Sequence, residues 1–430
     1  MYNIYFYLII GIFILSFVWT QILSWLNRKR MSPELPDELK GIYSPEKYAS
    51  QQEYQRTNSR FGLISGGFSF VLMLAILLFG FLGWFDDCLR EYTNHFLILP
   101  LLFFGILMIG NELFDFPFEW YATFTIEERF GFNKSTKKLF FFDWLKGIVL
   151  SLLIGGIVLS AILYLYNYAG KAFWLYAWLV VSGFSLLITF FYSEWIVPLF
   201  NKQTPLETGE LRNAIEAFAL KAGFRLTNIF VMDGSKRTTK ANAYFTGFGK
   251  KKRIVLFDTL MEELDTEEIV AVLAHETGHY KKKHVIYSMI LSIMTTGIIF
   301  YILSLFLGNL QLAKALGGKT ASFHLGIIGF AFLFTPISEA LGLAVNCFSR
   351  KNEYQADSFA SQYGLGEALI SALKKLSVQS LSNLNPHPLT VFWYYSHPTL
   401  LQRIKRIKSA LSVISDPTLS VSIHQTTLCN

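Results

Sequence analysis

The chain has 430 residues, of which 52% are hydrophobic, 17% aromatic and only 16% charged. Soluble globular proteins carry about 25% charged residues, so this balance indicates a membrane protein. The net charge of +7 suits the cytoplasmic face of a membrane protein better than nucleic-acid binding. Three cysteines, Cys88, Cys347 and Cys429, are too far apart to form a disulfide framework or a C-x-x-C metal site.

Seven apolar runs are each long enough to cross a bilayer, which takes about 20 residues. They lie near residues 4–24, 62–84, 96–114, 147–168, 173–199, 285–309 and 324–347. We therefore predict a mainly α-helical, polytopic membrane protein with seven transmembrane helices.

The basic residues predict the orientation of these spans. No basic residue precedes the first span, and Arg28, Lys29 and Arg30 follow it directly, which is the reverse of a cleaved signal peptide. The later loops alternate between rich and poor in lysine and arginine. By the positive-inside rule, the N-terminus lies outside and segment 201–284 is cytoplasmic. That membrane would be the inner membrane in a bacterium and the endoplasmic reticulum in a eukaryote.

Several carboxylates fall at or near membrane depth, where a charge is costly unless it faces water or a partner. They are Glu112, Asp115, Glu119, Glu194 and Glu339. Two interpretations stay open: these groups line a hydrated interior, or they are interfacial or helix-paired carboxylates with structural roles.

Two cytoplasmic parts interrupt and follow the spans. Five spans with their loops occupy residues 1–200, the first cytoplasmic insertion 201–284, and spans six and seven 285–350. The insertion has an amphipathic helix from Glu210 to Ala222, strand-like runs at 229–232 and 254–257, and a hairpin turn at 249–253. Residues 351–411 are predicted to be largely helical and 412–430 a loose tail.

The insertion ends in an H-E-x-x-H pattern, with His275 and His279 on either side of Glu276. Asp265 followed by Glu268 predicts the start of a helix just upstream. In a helix both imidazoles lie on one face, one turn apart, where they can share one Zn²⁺ per chain, with Glu276 placed to take a proton from water. The alternative is an ordinary helix with two surface histidines.

A catalytic zinc usually has three protein ligands, so one is missing. Glu353 and Asp357 are four residues apart at the cytoplasmic end of span seven. Spans six and seven are joined by a short outer loop, which predicts that their cytoplasmic ends meet. We expect Glu353 to bind the metal and Asp357 to accept the N–H of a ligand histidine. The alternative is a solvated acidic face.

Other histidines and arginines carry weaker signals. His397 or Arg403 could donate to the oxyanion formed during attack on a carbonyl, although a structural role is the alternative for both. His387, before a proline, is a weaker candidate. His284 follows three lysines at the membrane boundary and is interpreted as interfacial rather than as a ligand.

The combination of motifs resembles the type I CAAX prenyl protease family, from about residue 40 to about residue 410. The matching stretches are 127–134, 235–237, 242–247, 253–260, 275–279, 353–357 and 396–398. The resemblance implies seven helices around an intramembrane chamber, with a zinc site at its cytoplasmic rim in a small α+β metallopeptidase domain. It also implies that Asn242, Ala243, Tyr244, Phe245 and Thr246 pair with the substrate backbone as an edge strand. His397 and Arg403 would lie near the metal.

We therefore predict an integral-membrane zinc metalloendopeptidase that cleaves near the C-terminus of peptide or protein substrates. Two substrate classes stay open: prenylated CAAX-type proteins, and membrane proteins cleaved for quality control without prenyl dependence. A distant alternative from another class is a seven-span transporter or receptor with an incidental metal site. The expected partners are the substrate and the lipid bilayer but no nucleic acid; the sequence does not define an oligomeric state.

Overall fold

The computed structural model describes residues 2–31, 40–223, 228–246 and 253–415. The protein is mainly helical, and within these described ranges seven helical segments are long and apolar enough to cross a membrane, which confirms the predicted number. Their helices are α1 (Ile4–Lys29), α2 (Pro45–Leu78), α4 (Ile98–Tyr121), α5 (Lys137–Tyr168), α6 (Phe173–Phe191), α10 (His284–Phe306) and α12 (Phe323–Gln362).

Short elements extend or connect these spans. Helix α4 continues in a π-helical turn, Ala122–Glu127. Helix α6 is followed by a second π-helical turn, Tyr192–Ile196, and by the 3-10 turn Val197–Leu199. The helices α3 (Phe81–Tyr92) and α11 (Leu310–Ala315) pack at one end of the bundle.

A buried polar cluster ties α3 to the start of α12 at that end. Asp86 is fully buried and accepts hydrogen bonds from His324 Nε2 (2.7 Å), Arg90 Nε (3.0 Å) and Ser322 Oγ (3.2 Å). Because a buried carboxylate without partners is costly, these donors stabilise the contact between the two helices. The apolar pattern alone does not predict this cluster.

Helix α12 is one continuous element of 40 residues, about 60 Å long at 1.5 Å per residue. It crosses the predicted boundary at residue 350 without a break, although Pro336 lies inside it. Glu353 and Asp357 are therefore attached rigidly to the seventh span, two to three turns beyond its apolar part. The position of these carboxylates is set by the packing of the span.

The part of the chain outside the candidate spans contains a four-stranded sheet in the order β1-β2-β4-β3. Its strands are β1 (Gln203–Pro205), β2 (Asn228–Met232), β3 (Ala243–Thr246) and β4 (Arg253–Phe257). The pairing of β2 with β4 is parallel, whereas β3 with β4 and β1 with β2 are antiparallel. Two of the strands lie at the predicted runs, and the short β1 was not predicted. Among the described strands, β3 lies at one edge.

The two faces of β4 pack against different layers. Ile254 and Leu256 belong to one hydrophobic core with Leu273, whereas Val255 packs with Val197 and Met232 on the other face. This alternation follows from the two-residue period of a strand. The sheet therefore lies between the motif helix and the segment that follows the fifth span.

Helices complete the part of the chain outside the candidate spans. They are α7 (Glu210–Lys221), α8 (Asp258–Glu263), α9 (Thr266–Lys281), α13 (Gly366–Gln379), α14 (Pro388–Tyr394) and α15 (Leu400–Ser415). The last helix continues four residues past the predicted boundary at 411, and the rest of the predicted tail lies outside the described residues. The predicted hairpin turn at 249–253 also falls outside them, except for Arg253, which begins β4.

Three of the carboxylates near membrane depth have protein partners: Asp115 accepts from Asn111 of its own helix, and two others contact a different element. Glu339 accepts a hydrogen bond of 3.0 Å from Trp393 Nε1, and Glu194 lies 3.0 Å from Arg253 Nη2. Both contacts join a candidate span to the part of the chain outside the spans. For these two residues the geometry therefore favours the structural interpretation.

Candidate metal centre

The motif helix α9 begins in a capping box. The Asp265 carboxylate accepts from the Glu268 N–H at 2.9 Å, and Glu268 Oε2 accepts from the Asp265 N–H at 3.0 Å, which satisfies two otherwise unpaired donors of the first turn. Glu268 also accepts from Lys375 Nζ (2.7 Å) and Ser371 Oγ (2.6 Å) of α13. Local sequence thus starts the helix, and α13 fixes its position.

A glycine allows α9 and α12 to approach each other closely. A Cβ atom at Gly278 would lie 2.9 Å from Ala356 Cα and 3.0 Å from Phe359 Cβ, closer than real Cβ contacts. Gly278 lies directly before His279, and Ala356 directly before Asp357. The close approach therefore occurs where the histidines of one helix face the carboxylates of the other.

The predicted ligand groups converge in a small triangle. His275 Nε2 and His279 Nε2 are 3.2 Å apart, Glu353 Oε2 lies 3.4 Å from the first and Glu353 Oε1 lies 3.3 Å from the second. These three residues are the one group of potential metal ligands found among the described residues. The prediction that spans six and seven bring them together thus agrees with the geometry.

The triangle has the dimensions that a tetrahedral ion requires. Ligand atoms about 2.0–2.1 Å from such an ion lie about 3.3–3.4 Å from one another. Glu353 Oε2 is buried and has no hydrogen-bond partner among the described residues. Each oxygen of this buried carboxylate faces one imidazole nitrogen, and Arg403 Nη1, 3.7 Å from Oε2, is too far away for a hydrogen bond. A cation between the carboxylate and the two imidazoles would supply the missing partner. The residues present therefore fit a divalent metal.

Asp357 and Arg403 support His275 from behind. Asp357 Oδ1 lies 2.8 Å from His275 Nδ1, and Arg403 contacts the same carboxylate through Nε (3.0 Å) and Nη2 (2.6 Å). Burial acts to lower the pKa of His275, but hydrogen bonds to Asp357 and Glu353 outweigh burial and raise this pKa to about 9. Burial likewise opposes the charge of Arg403, yet the carboxylates of Asp357 and Glu353 raise its pKa.

The other predicted residues surround the triangle. His397 Nε2 lies 3.3 Å from Glu353 Oε1, and its side chain is 62% exposed. Arg403 Nη1 lies 3.7 Å from Glu353 Oε2. Glu276 is half-buried, and its charge is one of those that raise the pKa of Arg403. The structure thus brings these candidates to one site, while their individual roles remain predictions.

His284 was interpreted from the sequence as interfacial rather than as a ligand; it does not belong to the ligand group, but its side chain is buried against the motif instead of lying at an interface. Its side chain is only 5% exposed, and its Nδ1 lies 3.1 Å from Nδ1 of His279. The chain turns between α9 and α10 with Lys283 in the left-handed conformation (φ 58°), which directs His284 back towards the motif. A spacing of five residues after a helical histidine does not predict this contact, because a continuous helix would point the two side chains apart.

A cavity of about 950 Å³ adjoins the edge strand. Its lining includes Asn242, Tyr244 and Phe245 of the predicted substrate-binding segment, together with residues of the loop after the third span and of α6. Thr246 ends β3 opposite Arg253. The predicted substrate segment therefore borders open space between the sheet and the spans.

Seven candidate spans, an H-E-x-x-H helix and a third acidic group on an adjoining helix together define an integral-membrane metallopeptidase. Comparison with family models gives the same result: residues 24–202 match the CAAX prenyl protease N-terminal domain with five membrane helices, and residues 205–411 match peptidase family M48. The chain belongs to peptidase family M48. The prediction of a membrane metalloendopeptidase is thereby confirmed, and a transporter or receptor is not favoured.

Relatives match along almost the whole chain. A CAAX prenyl protease 1 homolog of Arabidopsis thaliana is 37% identical over 383 residues, covering 87% of this chain and 90% of that protein. CAAX prenyl protease 1 of Saccharomyces cerevisiae is 33% identical over 419 residues, covering 91% and 90%. The crystal structure of S. mikatae Ste24p is similar with a TM-score of 0.88 and 33% identity, covering 94% of this chain and 99% of that one.

Proposed function

We propose that this protein is a zinc-dependent endopeptidase that cleaves near the C-terminus of prenylated, membrane-associated proteins. The observation that carries this proposal is the triangle of His275, His279 and Glu353, whose sides of 3.2–3.4 Å suit a tetrahedral ion. Two imidazoles and a carboxylate are ligands typical of catalytic zinc. The relatives named CAAX prenyl protease 1 support the substrate class.

The chain's own groups supply the proton transfers. A bound zinc ion would lower the pKa of water and polarise the scissile carbonyl. Glu276, beside the two histidines on the same helix, takes the proton of the attacking water and returns it to the leaving amine. His397, exposed and 3.3 Å from Glu353, donates to the oxyanion that develops on the carbonyl.

Arg403 has a different role from the oxyanion donor that the sequence suggested. Its Nε and Nη2 are both engaged with the buried carboxylate of Asp357. Asp357 in turn lies against His275 Nδ1, so Arg403 holds the acceptor that orients this imidazole. We therefore assign Arg403 a positioning role.

The substrate would bind as an added strand along β3. Asn242 O accepts from the Phe257 N–H, so the backbone groups of Asn242 face β4 and those of Ala243, one residue on, face the open edge. Addition of a strand to such an edge gives main-chain hydrogen bonds that do not depend on substrate sequence. Asn242, Ala243, Tyr244, Phe245 and Thr246 would supply this surface.

The proposed orientation places the metal centre at the cytoplasmic rim of a hollow bundle. Support for the orientation comes from the alternation of basic and basic-poor loops. Support for a hollow interior comes from the spans, in which only 6–17% of the residues of each apolar window are buried. A tightly packed bundle of seven helices would bury a larger share.

The test offers the purified protein two peptides of identical sequence that end in a CAAX motif, one farnesylated and one not. We expect release of the C-terminal tripeptide from the farnesylated peptide, loss of this activity with a chelator, and a severe loss of activity in Glu276→Gln. Equal cleavage of both peptides would refute the prenyl requirement and favour the quality-control alternative. Full activity of Glu276→Gln would remove the proposed base.

A further inference from the structure

We propose that His284 and Gln355 form a positioning pair that fixes the tautomer and ring orientation of His279. His284 Nδ1 lies 3.1 Å from His279 Nδ1, and His284 Nε2 lies 2.9 Å from Gln355 Oε1. This inference rests on the metal centre proposed above and extends it to two residues that neither the motif nor its spacing indicates.

The chemistry of the three side chains allows one assignment of protons. A neutral imidazole that binds a metal through Nε2 carries its proton on Nδ1. That N–H of His279 then donates to His284 Nδ1, which leaves the proton of His284 on Nε2. The Nε2–H donates to Gln355 Oε1, an atom that only accepts. Every polar atom along this path has a matching partner.

The backbone fixes both ends of the hydrogen-bonded path from His279 through His284 to Gln355. Lys283 adopts φ 58°, a conformation that a lysine takes only at some cost, and the following residue begins α10. Gln355 lies on α12 between Glu353 and Asp357. The pair therefore connects the second histidine to the same rigid helix that carries the proposed acidic ligand.

The two histidines consequently have different supports. His275 Nδ1 faces the carboxylate of Asp357 at 2.8 Å, which Arg403 balances, whereas His279 Nδ1 faces a neutral ring. His284 is 5% exposed, so water cannot readily replace it as the acceptor. Loss of the acceptor leaves the His279 N–H without a partner and the ring free to turn away from the metal.

The decisive comparison is between His284→Leu and His284→Asn in the full-length purified protein. Asparagine places Oδ1 where histidine has Nδ1, so it retains the acceptor for His279, whereas leucine does not. Zinc affinity is measured by competition with a coloured chelator, and Co²⁺ absorption in the visible range reports the ligand field. We expect a roughly 10–100-fold weaker affinity and an altered Co²⁺ spectrum for leucine, with near wild-type values for asparagine.

Two further variants separate positioning from general damage. His324→Leu removes another buried histidine, the one that contacts Asp86 at the far end of α12. We expect it to lower the thermal stability but not the zinc affinity. Gln355→Leu should weaken zinc binding less than His284→Leu, and the double variant should equal His284→Leu, because both changes interrupt one path.

The outcomes distinguish this inference from the proposed function. Wild-type zinc affinity and Co²⁺ spectrum in His284→Leu would refute the positioning pair while leaving the metal centre in place. Equal losses in the leucine and asparagine variants would also refute it, because packing rather than the acceptor would then matter. A wild-type protein that binds no zinc would instead refute the proposed function.

Discussion

Arg403 holds the fully buried carboxylate of Asp357 in a two-point contact, with Nε 3.0 Å from Oδ2 and Nη2 2.6 Å from Oδ1. The contact joins α15 to α12 directly behind His275. Two-point contacts between a guanidinium and a carboxylate fix both distance and orientation. The last described helix is therefore part of the support of the metal centre.

Removal of Arg403 should cost stability as well as activity. In Arg403→Ala, Asp357 keeps its charge in a buried position with His275 as its remaining close partner, so we expect a loss of about 3–5 kcal/mol in the free energy of unfolding. Chemical unfolding in detergent measures the loss. Arg403→Lys, which keeps the charge but not the fork, should be intermediate. A change below 1 kcal/mol in Arg403→Ala would contradict the proposed support.

Glu353 and Glu276 should separate metal binding from proton transfer. Glu353→Gln replaces an anionic oxygen of the triangle by a neutral amide. We expect zinc affinity to fall by more than the 10–100-fold that is typical when a residue hydrogen-bonded to a metal ligand is replaced. Glu276→Gln should keep one zinc per chain and lose about 10²–10⁴-fold in kcat. Metal analysis after dialysis measures the zinc content of Glu353→Gln, and turnover of the peptide measures kcat of Glu276→Gln. Unchanged zinc content in Glu353→Gln would show that another group is the third ligand.

The stability of chelator-treated protein should depend on pH through His275. The folded-state pKa of about 9 lies above the ordinary value of 6.5, so protonation stabilises the fold fully below pH 6.5 and this contribution is lost as the pH rises through 9. At about 1.4 kcal/mol per pKa unit, the loss is roughly 3 kcal/mol. Unfolding midpoints at pH 6.5 and 9.5 measure it.

The control for this pH dependence is His275→Gln, which should show little change over the same range. With zinc present, the stability should instead rise with pH. His275 must lose its proton to bind the metal, so the affinity for zinc rises with pH. A flat profile in the chelator-treated wild type would show that Asp357 and Glu353 do not hold a proton on His275.

Replacement of Gln379 should weaken substrate binding more than it slows the hydrolysis step. Its side chain accepts from the Ala241 N–H (3.3 Å) and donates to Thr239 O (2.9 Å), and so holds the segment that leads into β3. Gln379→Leu frees this segment, and we expect KM to rise several-fold with kcat and zinc content nearly unchanged. Steady-state kinetics with the farnesylated peptide measure both constants. An unchanged KM would contradict a role of β3 in binding.

A second variant tests the contact on the other side of the same segment. Lys240 Nζ contacts Glu127 Oε2 at 2.7 Å, which joins the segment to the end of the third span. Glu127→Gln keeps the shape but removes the charge, so a similar rise in KM is expected. The control is Ser380→Ala, which should leave KM unchanged, because among the described residues the Ser380 hydroxyl forms hydrogen bonds with its own helix and the adjacent turn.

The sequence by itself determined the membrane class, the number of spans, the helix of the motif and the class of chemistry. These features depend on local composition: a run of about 20 apolar residues has few alternatives to a membrane helix, and the cap at Asp265 with the spacing of His275 and His279 acts within one helix. The pairing of Glu353 with this helix could also be inferred, because the sixth and seventh spans share a short loop.

The tertiary structure alone decided which groups support the ligands. His284 reaches His279 only because the chain turns at Lys283, and Arg403 faces Asp357 only because α15 packs on α12. The edge position of β3 likewise depends on the order in which distant strands pair. Such contacts join residues far apart in sequence or across a break in a helix. The periodicity of a single helix or strand does not predict in which direction these side chains point. The physical reason is that packing, rather than spacing, decides where these side chains point.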